Sequence, residues 1–311
     1  MTVRDQTAAK SAAWGVGDIQ ARLTLVLLCL IWGVTWPMMK IALEQMPPLS
    51  MRTMTSGIGA LTLAIVCLLR RRSFRLPTAR AWAHVVISSL LNVASFSLLS
   101  AFAQIATATS RVAVLTYTMP IWTVLLAWLI LGERPTRMQG LALVLCAFGL
   151  AVLIWPLAAT GIPLGVVLAV ASGLSWAAGT VYLKWARIEA DPLGVTSWQI
   201  TFAFLVIAAS LLVFEGGLHL GDAHASALLA AAFVGIGGVG IAYAMWFDIV
   251  RRLPAATASL GILAIPVIGV VSSILILGER PTGADIIGFA LIFAASACVL
   301  LSRQAPGRVS R

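Results

Sequence analysis

From residue 24 to residue 301 the chain alternates long apolar runs with short polar turns. Ten runs can be drawn: 24–43, 49–70, 82–103, 110–131, 136–156, 163–186, 193–214, 224–250, 255–277 and 283–301. Each approaches ~20 residues, the length a helix needs to cross the hydrocarbon core of a bilayer. Hydrocarbon offers no partner for a free N–H or C=O group, so a run of this kind must be helical. The alternating pattern of a membrane β-barrel is absent. The pattern therefore predicts an all-α integral membrane protein with ten transmembrane helices, and the lipid bilayer as its surroundings.

Composition agrees with the pattern. The 311 residues are 60% hydrophobic and 10% charged, whereas soluble domains carry about 25% charged residues. The net charge of +10 does not point to nucleic acid, because the bases sit in short turns and not on one helix face. They act instead as topology signals. With a cytoplasmic N-terminus, 17 of the 21 Lys and Arg residues fall on the cytoplasmic side. Only Lys40, Arg52, Arg111 and Arg280 fall outside. The positive-inside rule thus places both termini in the cytoplasm. Cys29, Cys67, Cys146 and Cys298 lie inside apolar runs and read as small core residues. His84, His219 and His224 lack metal-ligand spacing, so neither a metal nor a cofactor is expected.

The chain also repeats itself. "LILGERPT" stands at 129–136 and again at 275–282, and ten of the 17 positions from 120 to 136 recur 146 residues later. At an offset of 144, Leu30 pairs with Leu174, Trp32 with Trp176, Lys40 with Lys184, and Pro48–Leu49 with Pro192–Leu193. The halves are 1–157 and 158–311. Five crossings each is an odd number, so the second half enters the membrane upside down. That is an inverted-topology repeat, the device of carriers that alternate between two open states. Within the phrase, Gly132 suits a left-handed helix end and Pro135 stops the helix. Thr136 with Gln139, and Thr282 with Asp285, have capping-box spacing.

Three stretches carry a resemblance: "LIWGVTWPMMKIALEQMPPL" at 30–49, "TYTMPIWTVLLAWLILGERPT" at 116–136 and "LAIPVIGVVSSILILGERPT" at 263–282. They resemble the EamA repeats of the drug/metabolite transporter superfamily, and the resemblance spans nearly the whole chain. It implies a ten-helix carrier of the bacterial inner membrane with a small-molecule substrate. It does not specify that substrate, because the family exports amino acids, nucleosides, drugs and other metabolites. One departure is Ala177–Ala178, where the first-helix pattern "WG" of 32–33 carries glycine; run six is expected to bend differently there.

Polar and aromatic residues at mid-run are costly, and so informative. Trp32, Thr35 and Trp36 share one face of run one, as Ser175 and Trp176 do in run six. Asn92 in run three, Thr116 and Tyr117 in run four and Tyr243 in run eight complete the candidate substrate-binding set. Pro120 and Pro266 sit near the centres of runs four and nine, where a proline kinks the helix and frees a carbonyl four residues earlier. Plain packing is the competing reading for each residue, and interhelical hydrogen bonding competes equally for Asn92. Trp122 is expected in the cavity wall. Trp128, Trp155 and Trp246 are expected as interfacial anchors. Runs five and ten, almost wholly apolar, are expected at the periphery. Lys40 is expected to reach the interface beside Glu44.

No charge is expected at the midplane, which implies a substrate without net charge. The resemblance favours export of small amphipathic metabolites, amino acids first. Multidrug or organic-cation efflux is the alternative, but it would want a membrane-embedded carboxylate. An integral-membrane enzyme would need a convergent His, Asp, Ser or metal set, and none is visible.

Overall fold

A computed structural model describes residues 16–156, 163–220, 223–252 and 263–301. Among the described residues the chain is helical throughout, without a strand. Eight helices are long and apolar enough to cross a membrane. They are α1 (Val16–Leu43), α2 (Pro48–Leu69), α3 (Ala79–Ala106), α4 (Thr109–Leu131), α5 (Arg137–Ile154), α6 (Leu164–Ala186), α7 (Pro192–Phe214) and α8 (225–252). Two more apolar helices follow, α9 (Ala264–Leu277), of 14 residues, and α10 (Gly283–Leu301), of 19. The start of run nine, 255–262, lies outside the described residues. Large apolar side chains such as Leu68, Phe148, Leu212 and Leu275 are exposed. In lipid that exposure is favourable, and such a protein is multi-pass.

Local sequence sets the helix ends. Pro48 and Pro192 open α2 and α7 in the first turn, where a missing N–H costs nothing. Thr136 and Gln139 form a reciprocal capping box at the start of α5. Thr282 and Asp285 form another at the start of α10. Gly132 and Gly278, with φ of 70° and 68°, take the left-handed conformation that ends α4 and α9.

Three helices are interrupted. In α4 the segments Thr109–Thr116 and Met119–Leu131 meet at a break over Tyr117 and Thr118. In α3 a π-helical segment, Leu90–Ser95, separates Ala79–Ser89 from Phe96–Ala106. In α8 a similar segment, Val234–Ile241, separates Ala225–Phe233 from Ala242–Arg252. By contrast α6 runs unbroken through Ala177–Ala178, as α1 does through Trp32–Gly33.

The packing of the two halves is reciprocal. α1 lies against α9 and α8, while α6 lies against α4 and α3. α2 packs on α8 and α7, and α7 packs on α3. Close approach is made by glycine: Gly59 and Gly240 let α2 and α8 touch, with Val239 and Thr62 where a Cβ would go. α5 and α10 pair with each other through Gly149 and Gly288, beside the rest of the bundle.

Candidate functional site

A cavity of about 160 Å³ lies inside the bundle. A single water needs only ~10–15 Å³, so the space suits a small organic molecule. α1 presents Trp32, Thr35, Trp36 and Met39 to it, spaced as one helical face. Thr116, Tyr117 and Met119 come from the break in α4, Trp176 from α6 and Tyr243 from α8. Seven of the nine residues singled out in the sequence therefore share one cavity: Trp32, Thr35, Trp36, Thr116, Tyr117, Trp176 and Tyr243. No residue of α5, α9 or α10 lines it, in keeping with the peripheral place expected for runs five and ten.

The aromatic groups are held by specific bonds. Trp32 Nε1 donates to the Gly238 carbonyl at 2.9 Å, inside the π-helical segment of α8. Its ring meets Tyr243 edge-on at 6.0 Å and Trp246 at 6.2 Å. Trp246, expected as an interfacial anchor, stands at the end of its apolar span and also packs against Trp32 of the cavity. Trp128 and Trp155, 47% and 82% exposed, fit that role. On the facing wall Trp176 meets Phe96 edge-on at 4.9 Å.

The break in α4 follows from its chemistry. Pro120 has no N–H to give the Thr116 carbonyl, and that carbonyl lies where a side chain on Gly173 of α6 would need to be. Glycine at 173 is what lets the helices approach. The Thr116 hydroxyl is 3.0 Å from Ser172 Oγ, and Ser296 Oγ donates to the Tyr117 carbonyl at 3.2 Å. Neither proline lines the cavity. Pro120 stands in the first turn of the second α4 segment, so the chain breaks at Tyr117–Thr118 and does not kink around the ring. Pro266 stands in the first turn of α9, and the carbonyl expected to be freed at Ile262 lies outside the described residues.

Asn92 and Ser175 do not reach the cavity. Asn92 Nδ2 donates to the Trp176 carbonyl at 3.0 Å and to Thr180 Oγ1 at 3.3 Å. Ser175 Oγ donates to the Leu91 carbonyl. Both tie the π-helical part of α3 to α6, because a buried amide or hydroxyl takes the nearest carbonyl. Trp122, expected in the wall, instead donates to Thr118 Oγ1 at 3.0 Å and secures the break in α4.

Sequence reasoning missed Arg52, counted there as an outer-face charge. Its side chain lines the cavity and the residue is 7% exposed. Nη2 donates to Ser100 Oγ at 2.7 Å. A signal was present: Arg52, Thr55, Ser56 and Gly59 fall on one face of α2, the buried one. Also missed were Phe96 and Ser97 of α3 and Ile200 of α7. Arg52 stands in the second turn of α2, so the cavity carries a buried charge toward one end of that helix, away from the midplane to which the charge-free expectation applied.

At the end of the bundle bearing the N-termini of α2 and α4, polar groups form a lattice. Glu215 accepts from the Leu49 and Ser50 amides, both at 2.9 Å. Glu279 accepts from the Thr109 and Ser110 amides at 2.6 and 2.9 Å. Carboxylates at helix N-termini are favourable, since the orphan amides and the helix dipole both welcome negative charge. Arg111 grips Asp285 with Nε and Nη2, at 2.8 and 2.9 Å. Lys40 Nζ donates to the Gln104 carbonyl at 3.1 Å, not to Glu44, and Gln104 Nε2 reaches the Trp36 carbonyl. Elsewhere Arg70 pairs with Asp248 at 2.7 Å, and Arg72 with Asp191 at 3.2 Å. Among the described residues no group of three His, Cys, Asp or Glu could hold a metal.

Comparison with known proteins agrees with this architecture. The model of the EamA-like transporter family matches twice, at residues 20–155 and 163–301. An uncharacterized transporter of Bacillus subtilis (strain 168), YvbV, is 28% identical over 91% of this chain and 92% of its own. A probable amino-acid metabolite efflux pump of Escherichia coli (strain K12) is 23% identical, covering 86% of this chain and 90% of the pump. One solved crystal structure, at 23% identity, superposes with a TM-score of 0.60 over 90% of this chain and 96% of that one, and so shares the fold.

Proposed function

The chain belongs to the EamA-like transporter family, and from that premise we propose that it is a secondary carrier exporting small amphipathic metabolites, amino acids or related compounds, by alternating access. The observation that carries the reading is the aromatic cavity itself. Its walls are drawn from both halves of the chain, with Trp32, Trp36 and Tyr117 from the first and Trp176 and Tyr243 from the second. A site between repeats is where a rocking carrier keeps its substrate. The name of the Escherichia coli relative supports amino-acid metabolites as the cargo.

In this reading the chain makes ten crossings as two five-helix repeats, 1–157 and 158–311, of inverted topology. The reciprocal packing of the halves supports it. Charge bias supports cytoplasmic termini in a bacterial inner membrane. The family and its named relatives are transporters, which favours carriage over catalysis. Organic-cation efflux is the second reading. It is disfavoured because among the described residues no Asp or Glu lines the cavity while an arginine does.

Purified protein in liposomes, assayed by counterflow against labelled amino acids and organic cations, tests the proposal. Saturable exchange of at least one amino acid or related metabolite is expected. Exchange of organic cations alone would replace it with the second reading.

A further inference from the structure

We propose that the cavity seats the carboxylate of an amphipathic organic anion on the guanidinium of Arg52. The inference rests on the transport reading only for what happens after binding. Arg52 lines the cavity, is more than nine-tenths buried, and leaves Nε without a hydrogen-bond partner. Its one bond, from Nη2, goes to the uncharged Ser100 hydroxyl. Among the described residues no ion pair involves Arg52. Glu215, although near the start of the same helix, is engaged by the Leu49 and Ser50 amides.

A buried charge without a counter-ion is strongly destabilising. Intramembrane charge facing a cavity marks a substrate or ion pathway, and an anionic visitor would neutralise this one. Arginine stays protonated and offers a planar fork that matches a carboxylate with two parallel bonds. Ser100 in turn donates to the Ser97 carbonyl at 3.1 Å, which holds the hydroxyl as an acceptor and fixes the fork before any ligand arrives.

The rest of the cavity states what the anion carries. Trp36, Phe96 and Trp176 offer apolar surface and ring edges, and among the described residues no acidic side chain lines the space to receive a cation. The ligand class is thus a compact molecule with one carboxylate, an apolar or aromatic body and no net positive charge. An amine of the same shape is repelled by the same arginine.

Binding to the full chain in nanodiscs decides the matter. The probes are 3-phenylpropionate, its uncharged amide 3-phenylpropanamide, and 2-phenylethylamine, titrated by calorimetry. A hydrogen bond to a charged group corresponds to about a ten- to hundred-fold change in affinity. The acid is expected to bind wild-type protein tighter than the amide by that factor, with the amine weakest. In Arg52→Gln the acid and amide should bind alike, while Arg52→Lys keeps part of the preference.

Equal binding of acid and amide to wild-type protein, or no binding of the acid, would overturn the proposal. So would an undiminished preference in folded Arg52→Gln. Should that variant fail to fold, the wild-type ratio and Arg52→Lys still decide. Counterflow in liposomes separates the two ideas. Acid binding without any flux sinks carriage and leaves the anion site. Flux of substrates with no preference for the carboxylate does the reverse.

Discussion

At the scale of single residues, the cavity separates side chains that face a ligand from side chains that hold helices together. Trp176 presents its ring to the cavity, whereas Asn92 spends its amide on the Trp176 carbonyl and Thr180. Their replacements should therefore fail differently. Trp176→Ala removes aromatic surface worth about 1–3 kcal/mol to a ligand, so the half-saturation concentration should rise about five- to hundred-fold with expression intact. Asn92→Ala removes two interhelical hydrogen bonds, each worth about 0.6 kcal/mol on average in membranes. It should lower the melting temperature slightly and leave half-saturation within about three-fold, since Asn92 does not line the cavity. Counterflow kinetics beside a thermal melt checks both, and the reverse pattern would reassign the two residues. The aromatic positions were legible in the sequence because a mid-run indole needs a partner wherever it lies. The role of Asn92 was not, because either use satisfies the amide.

At the scale of elements, the repeated phrase ends α4 and α9 with the same left-handed glycine but uses its glutamate differently. Glu279 caps the first turn of α4 through two backbone amides. Glu133 instead pairs with Lys184 at 2.6 Å, and these side chains are 44% and 52% exposed. Glu279→Ala leaves two amides orphaned and loses charge-assisted bonds, so it should cost about 2 kcal/mol. Glu133→Ala breaks an exposed pair and should cost less than about 1 kcal/mol. Parallel denaturation of the two variants measures the difference, and equal losses would refute the assignment of the cap. Helix boundaries, both capping boxes and both glycine ends were legible, because each is decided within one turn of chain. The π-helical segments of α3 and α8 were not, because one extra residue in a turn leaves no signature in a mostly apolar run.

At the scale of the whole molecule, the proposed inverted repeat puts the two copies of the phrase on opposite sides of the membrane. Cysteine placed at Arg137 or at Arg280, in a background with Cys29, Cys67, Cys146 and Cys298 replaced by alanine, should react with an impermeant maleimide from opposite faces. Labelling from one face would refute the inversion. A second expectation concerns energy coupling. Among the described residues no Asp, Glu or His lines the cavity, and Asp248 is paired with Arg70. Counterflow should therefore persist when an uncoupler collapses the proton gradient; loss of flux, restored only by an imposed pH gradient, would reveal a proton carrier. The sequence by itself determined the number and limits of the apolar runs, the internal repeat and the stock of aromatic residues, since each depends on local composition or on spacing along the chain. Only the tertiary structure decided where the polar groups were spent: Asn92, Ser175 and Gln104 on neighbouring carbonyls, Glu215 and Glu279 on helix ends, and Arg52 in the cavity. The physical reason is that a side chain's surroundings in a bundle depend on how each helix is rotated and how deeply it sits against its neighbours. Residues 50 to 200 positions away set both, and no local pattern records them.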